Sequence, residues 1–305
     1  MRLDCPKQLI ILKIELKKVK GIILAGGYGS RLYPLTLGTS KQLLPVYDKP
    51  MIYYPLSVLM EAEIKDILII STKEDTPRFR KLLGDGDHLG LNISFAIQKK
   101  PNGIAESFII ASDFISDNNV SLILGDNIFY SKAFKKHLNQ ANENLKEGFS
   151  SIFGVSVENP KNFGVIEFSS DNQMSKIIEK PTHPKSNLIV AGLYFYTNDV
   201  IKVAKKLDFS ERGEKEISDI NNHFINKKKL KLNLLDENTS WIDTGTYSSL
   251  IRASKFFEDL EKNTGKKVSC IEEIAFQMGY IDRKKLMKIA NSMSQSDYGK
   301  YLLKL

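Results

Sequence analysis

Lys20-Gly21-Ile22-Ile23-Leu24-Ala25, followed at once by Gly26-Gly27-Tyr28-Gly29-Ser30-Arg31-Leu32, decides the fold. A short apolar run that stops in glycines predicts a buried parallel strand feeding an anion-binding turn. Three more runs of the same kind follow: Asp66–Ser71, Asn92–Gln98 and Val120–Gly125. Helical patterns over 51–63, 76–83 and 103–114 separate them. Strands alternating with helices predict right-handed βαβ crossovers and a mostly parallel sheet covered on both faces. The expected fold class is α/β: a Rossmann-like, doubly wound, mostly parallel central sheet.

Past residue 150 the pattern changes. Phe149–Val157, Gly164–Phe168, Met174–Glu179 and Leu188–Tyr196 read as strands joined by short turns, hence antiparallel additions to the sheet. Helices are expected over 198–206 and 216–227, a strand near 230–235, and helices over 246–262, 271–278 and 283–291. The expected division is an N-terminal extension over 1–19, an α/β core over 20–245, and a C-terminal helical region over 246–305 packed on that core.

The 305 residues are 42% hydrophobic and 26% charged, an ordinary globular balance with enough apolar material for a sizeable core. Two cysteines, Cys5 and Cys270, far apart in the chain, fit a reducing compartment such as the cytoplasm. No apolar stretch reaches the ~20 residues of a membrane helix, and the N-terminus lacks the pattern of a signal peptide. The net charge is +8; residues 1–20 supply half of it. A mild basic excess suits an enzyme of anionic phosphates. The densest run, Lys227-Lys228-Lys229 then Lys231, has no interleaved aromatics and reads as a solvated helix end, not a nucleic-acid patch.

The glycine loop admits several readings. A dinucleotide loop needs G-x-G-x-x-G, and Leu32 stands where the third glycine belongs. A P-loop needs Gly-Lys-Ser/Thr after four spacers, and that is absent. A purely structural turn remains open, but Arg31 argues for an anion, because its guanidinium offers a fixed fork of donors to phosphate oxygens. Gly26, Gly27 and Gly29 let backbone N–H groups approach closely. In open α/β sheets, ligands bind beyond the carboxyl ends of the strands. Lys41, within Ser40–Pro45, is either a surface lysine or a second cation at the same place.

Leu122-Ile123-Leu124-Gly125-Asp126-Asn127 ends another apolar strand in a carboxylate. Asp126 is either a turn residue or a ligand of Mg²⁺, which prefers hard oxygen donors and often takes only one or two carboxylates plus phosphates and water. Asp243, in Trp241-Ile242-Asp243-Thr244-Gly245, is a second candidate. The four histidines are scattered, which argues against a zinc site, and no G-x-S-x-G nucleophile motif occurs.

Over Lys20 to Leu303 the chain resembles the sugar nucleotidyltransferase family, and within it the thymidylyltransferases acting on glucose 1-phosphate. The resemblance rests on Gly21–Arg31, Ser40–Tyr54, Thr76–Asp87, Leu124–Tyr130, Glu179-Lys180-Pro181, Gly192–Tyr196, Trp241–Gly245 and Lys267–Ala275. It implies a Mg²⁺-dependent reaction of dTTP with α-D-glucose 1-phosphate, giving dTDP-glucose and pyrophosphate, in a homotetramer that binds neither nucleic acid nor membrane. It also implies roles. Leu24, Gly26, Gly27, Gly29, Ser30 and Arg31 would hold the triphosphate, Gln98 and Gly103 the base, and Asp126 and Asp243 the metal. Lys41, Asn127, Gly164, Glu179, Lys180, Tyr194 and Arg212 would hold the sugar phosphate. Arg31, Lys41, Asp126 and Lys180 would carry catalysis.

Some positions depart from that family's pattern. Pro101-Asn102-Gly103-Ile104-Ala105-Glu106 stands where Pro-Asp-Gly-Leu-Ala-Gln is usual, and Phe163 where Tyr is usual. Ser131 and Lys132 replace Gly-His, and Ile271 replaces Pro, near a second nucleotide site used for feedback in that family. Two other readings stay open: the same chemistry with UTP or another sugar phosphate, and a non-catalytic binder of nucleotide sugars.

Overall fold

The computed structural model describes residues 17–305. The extension expected over 1–19 therefore falls largely outside the described residues, as does Cys5. The first unit is β1 (Val19–Ala25), β2 (Pro45–Val46), β3 (Lys49–Pro50), α1 (Tyr53–Glu61), β4 (Asp66–Ser71), α2 (Thr76–Leu83), β5 (Asn92–Ile97), α3 (Glu106–Ile110), α4 (Ser112–Ile115) and β6 (Asn119–Leu124). Next come β7 (Asn127–Tyr130), α5 (Phe134–Lys146), β8 (Ser150–Ser156), β9 (Gly164–Phe168), β10 (Met174–Glu179), β11 (Leu188–Tyr196), α6 (Val200–Lys206), α7 (Ile217–Asn226), β12 (Leu230–Leu234) and β13 (Ser240–Asp243). Four helices close the chain: α8 (Tyr247–Thr264), α9 (Ile271–Gln277), α10 (Arg283–Ser292) and α11 (Asp297–Leu302).

The main sheet runs β10-β9-β11-β6-β1-β4-β5, with β8 also paired to β11 and β12 to β8. β1 is parallel to β4 and β6, and β4 to β5. β11 is antiparallel to β6, β8 and β9. The parallel core and its antiparallel additions match the α/β expectation. Alternation along each strand sends neighbours to opposite faces. Ile23, Ile67 and Ile69 join α1, α5 and the C-terminal residues Ile271, Leu286 and Leu302 in one core. Ile22, Leu68 and Leu122 join Phe108, Ile220 and Phe224 in the other. Both Ile22 and Ile23 are fully buried, and burial of such a side chain stabilises by about 1.5–3 kcal/mol.

A third cluster seats α8 on the β2–β3 hairpin, through Phe257, Leu250, Val46, Met51 and Tyr54. Thr246 caps α8 by accepting from the Ser249 backbone N–H in a reciprocal capping box, which starts the helix immediately beyond the Asp243 strand.

Three features differ from the sequence reading. The helix expected over 103–114 is two short helices, α3 and α4, separated at Ala111. Residues 103–105 form loop and turn instead, with Gly103 at φ +99° against the Lys215 backbone, where a Cβ would lie 2.4 Å from the carbonyl oxygen. Strands β7 and β13 are too short to show a period and pair over a long sequence separation. Helix α5 carries Phe134, Leu138, Ala141 and Leu145 on one buried stripe, a spacing that marks a helix. The lysine run does sit at a helix end: α7 stops at Asn226, although Lys229 and Lys231 lean on the Phe149 ring.

Candidate active site

The chain leaves β1 for β4 and β5 on one side and returns to β6 on the other, so the strand order reverses between β1 and β6. Their carboxyl ends lie side by side, with Leu24 opposite Leu124 and the Gly125 N–H donating to the Leu24 carbonyl at 2.9 Å. This reversal is where open α/β sheets bind ligands. Both sequence signals, the glycine loop and Gly125-Asp126, emerge there.

The loop uses the backbone freedom of glycine. Gly27 has φ +96° and Gly29 φ +59°, a region costly for residues with a Cβ. The Thr36 hydroxyl donates to the Gly29 carbonyl at 2.8 Å and fixes the turn. One 3-10 turn, Ser30–Leu32, then buries Leu32 and leaves Arg31 facing a cavity.

Lys41 is a buried lysine, only 7% exposed at its side chain, and its Nζ lies 2.5 Å from Asp126 Oδ2. The bland reading of Lys41 as a surface residue therefore fails. Burial pushes the Asp126 carboxyl upward, but the Lys41 ammonium and the Asn127 amide outweigh that and hold it below the usual carboxylate range. Strand β13 pairs antiparallel with β7 and sets Asp243 opposite Asn127, hence beside Asp126. Burial, and then the negative charge of Asp126, raise the Asp243 carboxyl, while Lys41 and Arg31 oppose the rise. Two carboxylates crowded in this way form a hard-oxygen donor set that a divalent cation would relieve. Among the described residues no group of three or more His, Cys, Asp or Glu converges. Two carboxylates leave the remaining positions of an octahedral ion to phosphate and water, so the residues fit Mg²⁺.

Beside these charges opens a cavity of about 500 Å³, with Arg31, Asp126, Asn127, Lys180, Tyr194 and Asp243 among its lining residues. Asn127 is held at three points: its Oδ1 accepts from the Gly192 N–H and the Trp241 indole, and its Nδ2 donates to Asp126. Glu179 ends β10 and accepts from the Ser218 hydroxyl. Burial raises its carboxyl above the ordinary value, against the opposing pull of Ser218, Lys180 and Arg212. Gly164 leaves open the space beside Glu179; a Cβ there would lie 3.3 Å from Oε2. Tyr194 is buried and stacks on Tyr196. Lys180 has φ +44°, a left-handed conformation that a lysine rarely adopts, with its N–H on the Phe163 carbonyl. Strain of this kind gathers at functional sites.

Not every expected residue lines that cavity. Arg212 is engaged by Glu214 and Glu216 and stands 3.8 Å from Glu179. Leu24, Gly26, Gly27, Gly29, Ser30, Lys41, Gln98 and Gly103 belong to the adjoining loop side, where Gln98 Oε1 would lie 2.9 Å from a Cβ on Gly26. Residues that the sequence reading missed act by holding others. Thr244 is fully buried and donates through its hydroxyl and N–H to the Asp126 carbonyl. Ser218 and Trp241 hold Glu179 and Asn127. No local signal marks them, because each contact is made across the fold.

A larger cavity, about 1040 Å³, lies at the amino ends of β1, β4, β5 and β6. Its carboxylates include Asp66, which accepts from Asn92, and Glu143, which pairs with Lys146. Among the described residues no glycine loop at a strand's carboxyl end opens into it, so chemistry and not size picks out the site.

Residues 20–260 match the sequence profile of the nucleotidyl transferases. The chain belongs to the nucleotidyl transferase family. It is 50% identical over 287 residues to glucose-1-phosphate thymidylyltransferase of Mycobacterium tuberculosis, covering 94% of this chain and 99% of that protein. To the enzyme of the same name from Neisseria meningitidis it is 48% identical over the same shares. Among solved structures it is similar to a putative glucose-1-phosphate thymidylyltransferase from Bacillus anthracis in complex with sucrose. That likeness has a TM-score of 0.72 and 38% identity, over 78% of this chain and 95% of that one. As a nucleotidyl transferase this chain is an enzyme, and the sheet edge just described is where its glycine loop, paired carboxylates and buried lysine meet.

Proposed function

We propose that the enzyme joins dTTP to α-D-glucose 1-phosphate and releases pyrophosphate, giving dTDP-glucose as the first step toward dTDP-rhamnose or another deoxysugar. The convergence of Arg31, Asp126, Lys180 and Asp243 on one cavity at the strand reversal carries the reading. The names of the close relatives support the choice of substrates.

A sugar phosphate oxygen attacks the α-phosphorus, a new P–O bond forms, and the α–β bridge breaks with its electron pair leaving on pyrophosphate. A phosphate monoester has a second pKa of about 6, so its nucleophile is already dianionic at neutral pH and needs no general base. The obstacle is repulsion between two polyanions. Arg31 and Lys41 neutralise and orient the triphosphate through the glycine loop, and Lys180 with Arg212 holds the sugar phosphate in line. Glu179, Gly164, Tyr194 and Asn127 bind the sugar. Gln98 and Gly103 meet the base. Asp126 and Asp243 would hold Mg²⁺, which when bound supplies charge neutralisation on the phosphates.

We read 20–245 as the catalytic core and 246–305 as a helical region packed on it. The same reading takes the assembly as a homotetramer and its compartment as the cytoplasm. Among the described residues no helix is long and apolar enough to cross a membrane.

A nucleotide panel with glucose 1-phosphate, read by pyrophosphate release and product chromatography, tests the proposal. Release that needs both substrates and favours dTTP is expected. Equal release without the sugar phosphate, or preference for UTP, would overturn it.

A further inference from the structure

Glu106 was no candidate in the sequence, yet its carboxylate stands between two amides. Its Oε2 accepts from Gln98 Nε2 at 2.8 Å, and its Oε1 accepts from Asn102 Nδ2 at 2.7 Å. Gln98 Nε2 also donates to the Gly103 carbonyl at 3.2 Å. The Gln98 side chain is buried, with only 7% exposure.

An ionised carboxylate and a carbonyl can only accept hydrogen bonds. The nitrogen of the Gln98 amide must therefore face Glu106 and Gly103. A flipped amide would set Oε1 against two acceptors, lose both hydrogen bonds and add repulsion. The Gln98 oxygen is left to point the other way, toward the phosphate loop, 2.9 Å from the position of a Gly26 Cβ. The site thus offers an acceptor to whatever base lies there.

We propose that Glu106 is a positioning residue that locks the Gln98 amide, so that the enzyme selects bases carrying an N3–H donor and rejects those with a bare N3. This rests on the reading above that Gln98 meets the base. Thymine and uracil present N3–H to the oxygen and are accepted. Cytosine presents an unprotonated N3, which meets the oxygen lone pair to lone pair, and the lock denies the amide the flip that would accommodate it. The lock selects a class of base; it does not separate dTTP from UTP.

One amide and one carboxylate stand four residues apart in this segment, Asn102 and Glu106. The two positions are the partners of one hydrogen bond here. A carboxylate at 106 makes both neighbours donate to it. A carboxylate at 102 with a glutamine at 106 makes that glutamine donate to position 102 and accept from Gln98, so either placement fixes the Gln98 amide. With amides at all three positions only the longer contact to the Gly103 carbonyl, at 3.2 Å, opposes the flip.

The test follows from that. The ratio of kcat/KM for dTTP over dCTP is measured with glucose 1-phosphate in wild-type, Glu106→Gln, and the double variant Asn102→Asp with Glu106→Gln. An unmatched buried polar contact is worth roughly tenfold or more in discrimination. The ratio should fall by about that factor in Glu106→Gln, chiefly through a gain with dCTP, and return to within about threefold of wild-type in the double variant. Glu106→Ala should show the same fall if the glutamine variant does not fold. A merely structural glutamate would lower both nucleotides together and would not be rescued by a carboxylate at position 102. An unchanged ratio in the single variants, or no recovery in the double, overturns the lock, as does a wild-type enzyme that uses dCTP as readily as dTTP. A wild-type enzyme that uses neither nucleotide overturns the functional reading instead.

Discussion

The Lys41 ammonium lies 2.5 Å from Asp126 Oδ2, and the two residues are 85 positions apart in the chain. The contact ties the stretch after the glycine loop to the carboxyl end of β6, across the reversal in strand order. It also keeps Asp126 ionised at a place where a second carboxylate, Asp243, stands beside it. On the proposed mechanism, replacing Lys41 by Met removes a cation that neutralises the phosphates. Loss of one such preorganised donor costs about 10²–10³ in kcat, and steady-state pyrophosphate release should show a fall of that size. Wild-type kcat in Lys41→Met would remove Lys41 from the mechanism.

Arg31 and Lys180 should separate kinetically. Arg31→Ala loses charge stabilisation at the departing pyrophosphate, so kcat falls strongly while KM for glucose 1-phosphate changes little. Lys180→Asn keeps a residue that tolerates the left-handed φ of +44°, so melting should stay within a degree or two of wild-type. Its main effect should be a raised KM for glucose 1-phosphate. Equal losses of both parameters in both variants would contradict the assignment.

Asp243 gives a test of the metal site with a readout in stability. Its carboxyl is raised by burial and by the neighbouring Asp126 charge. The folded protein thus holds that proton more tightly than the unfolded chain. Stability is lost as pH rises from the ordinary carboxylate value through the raised one. Asp243→Asn removes the loss, so the metal-free variant should melt above metal-free wild-type at neutral pH. Mg²⁺ should raise the melting temperature of wild-type and leave the variant nearly unmoved. Thermal melts with and without Mg²⁺ read both effects.

Glu272, far from the catalytic edge, should show the same sign. It is buried and accepts from the Tyr298 hydroxyl at 2.6 Å, with Cys270 Sγ at 3.8 Å. Burial raises its carboxyl, against the hydrogen bonds that lower it. Glu272→Gln keeps an acceptor for Tyr298 and carries no charge. The variant should gain on wild-type as pH rises past the ordinary carboxylate range, and match it below that range. Denaturant melts across pH check this.

Much of the fold could be read from local pattern. The runs ending at Ala25, Ser71 and Leu124 are apolar on both faces, and such runs become buried parallel strands. Arg31 and Asp126 were legible because each stands in a glycine-bearing turn just past such a strand, Arg31 after Gly26–Ser30 and Asp126 after Gly125. Lys41 was not, since nothing nearby distinguishes a buried lysine from a surface one. Glu179, Lys180, Tyr194 and Arg212 came from family resemblance alone, because antiparallel strands β9, β10 and β11 carry no signature of a sugar pocket. Strands β7 and β13 escaped the reading for a related reason. Four residues are too few for a period, and their pairing brings Asp243 to Asp126 only in the folded chain. Thr244, Ser218 and Trp241 act through partners brought to them by the fold, and Glu106 stands between two amides only once the chain is folded.

The central claim is that two polyanions are brought together at the edge where Arg31, Asp126, Lys180 and Asp243 meet. The most direct measurement is to incubate the protein and Mg²⁺ with glucose 1-phosphate and dTTP labelled at the α-phosphorus. The label should appear in a nucleotide sugar, with unlabelled pyrophosphate released in equal amount. Label recovered only as dTTP, or as a hydrolysed nucleotide formed without the sugar, would contradict the account.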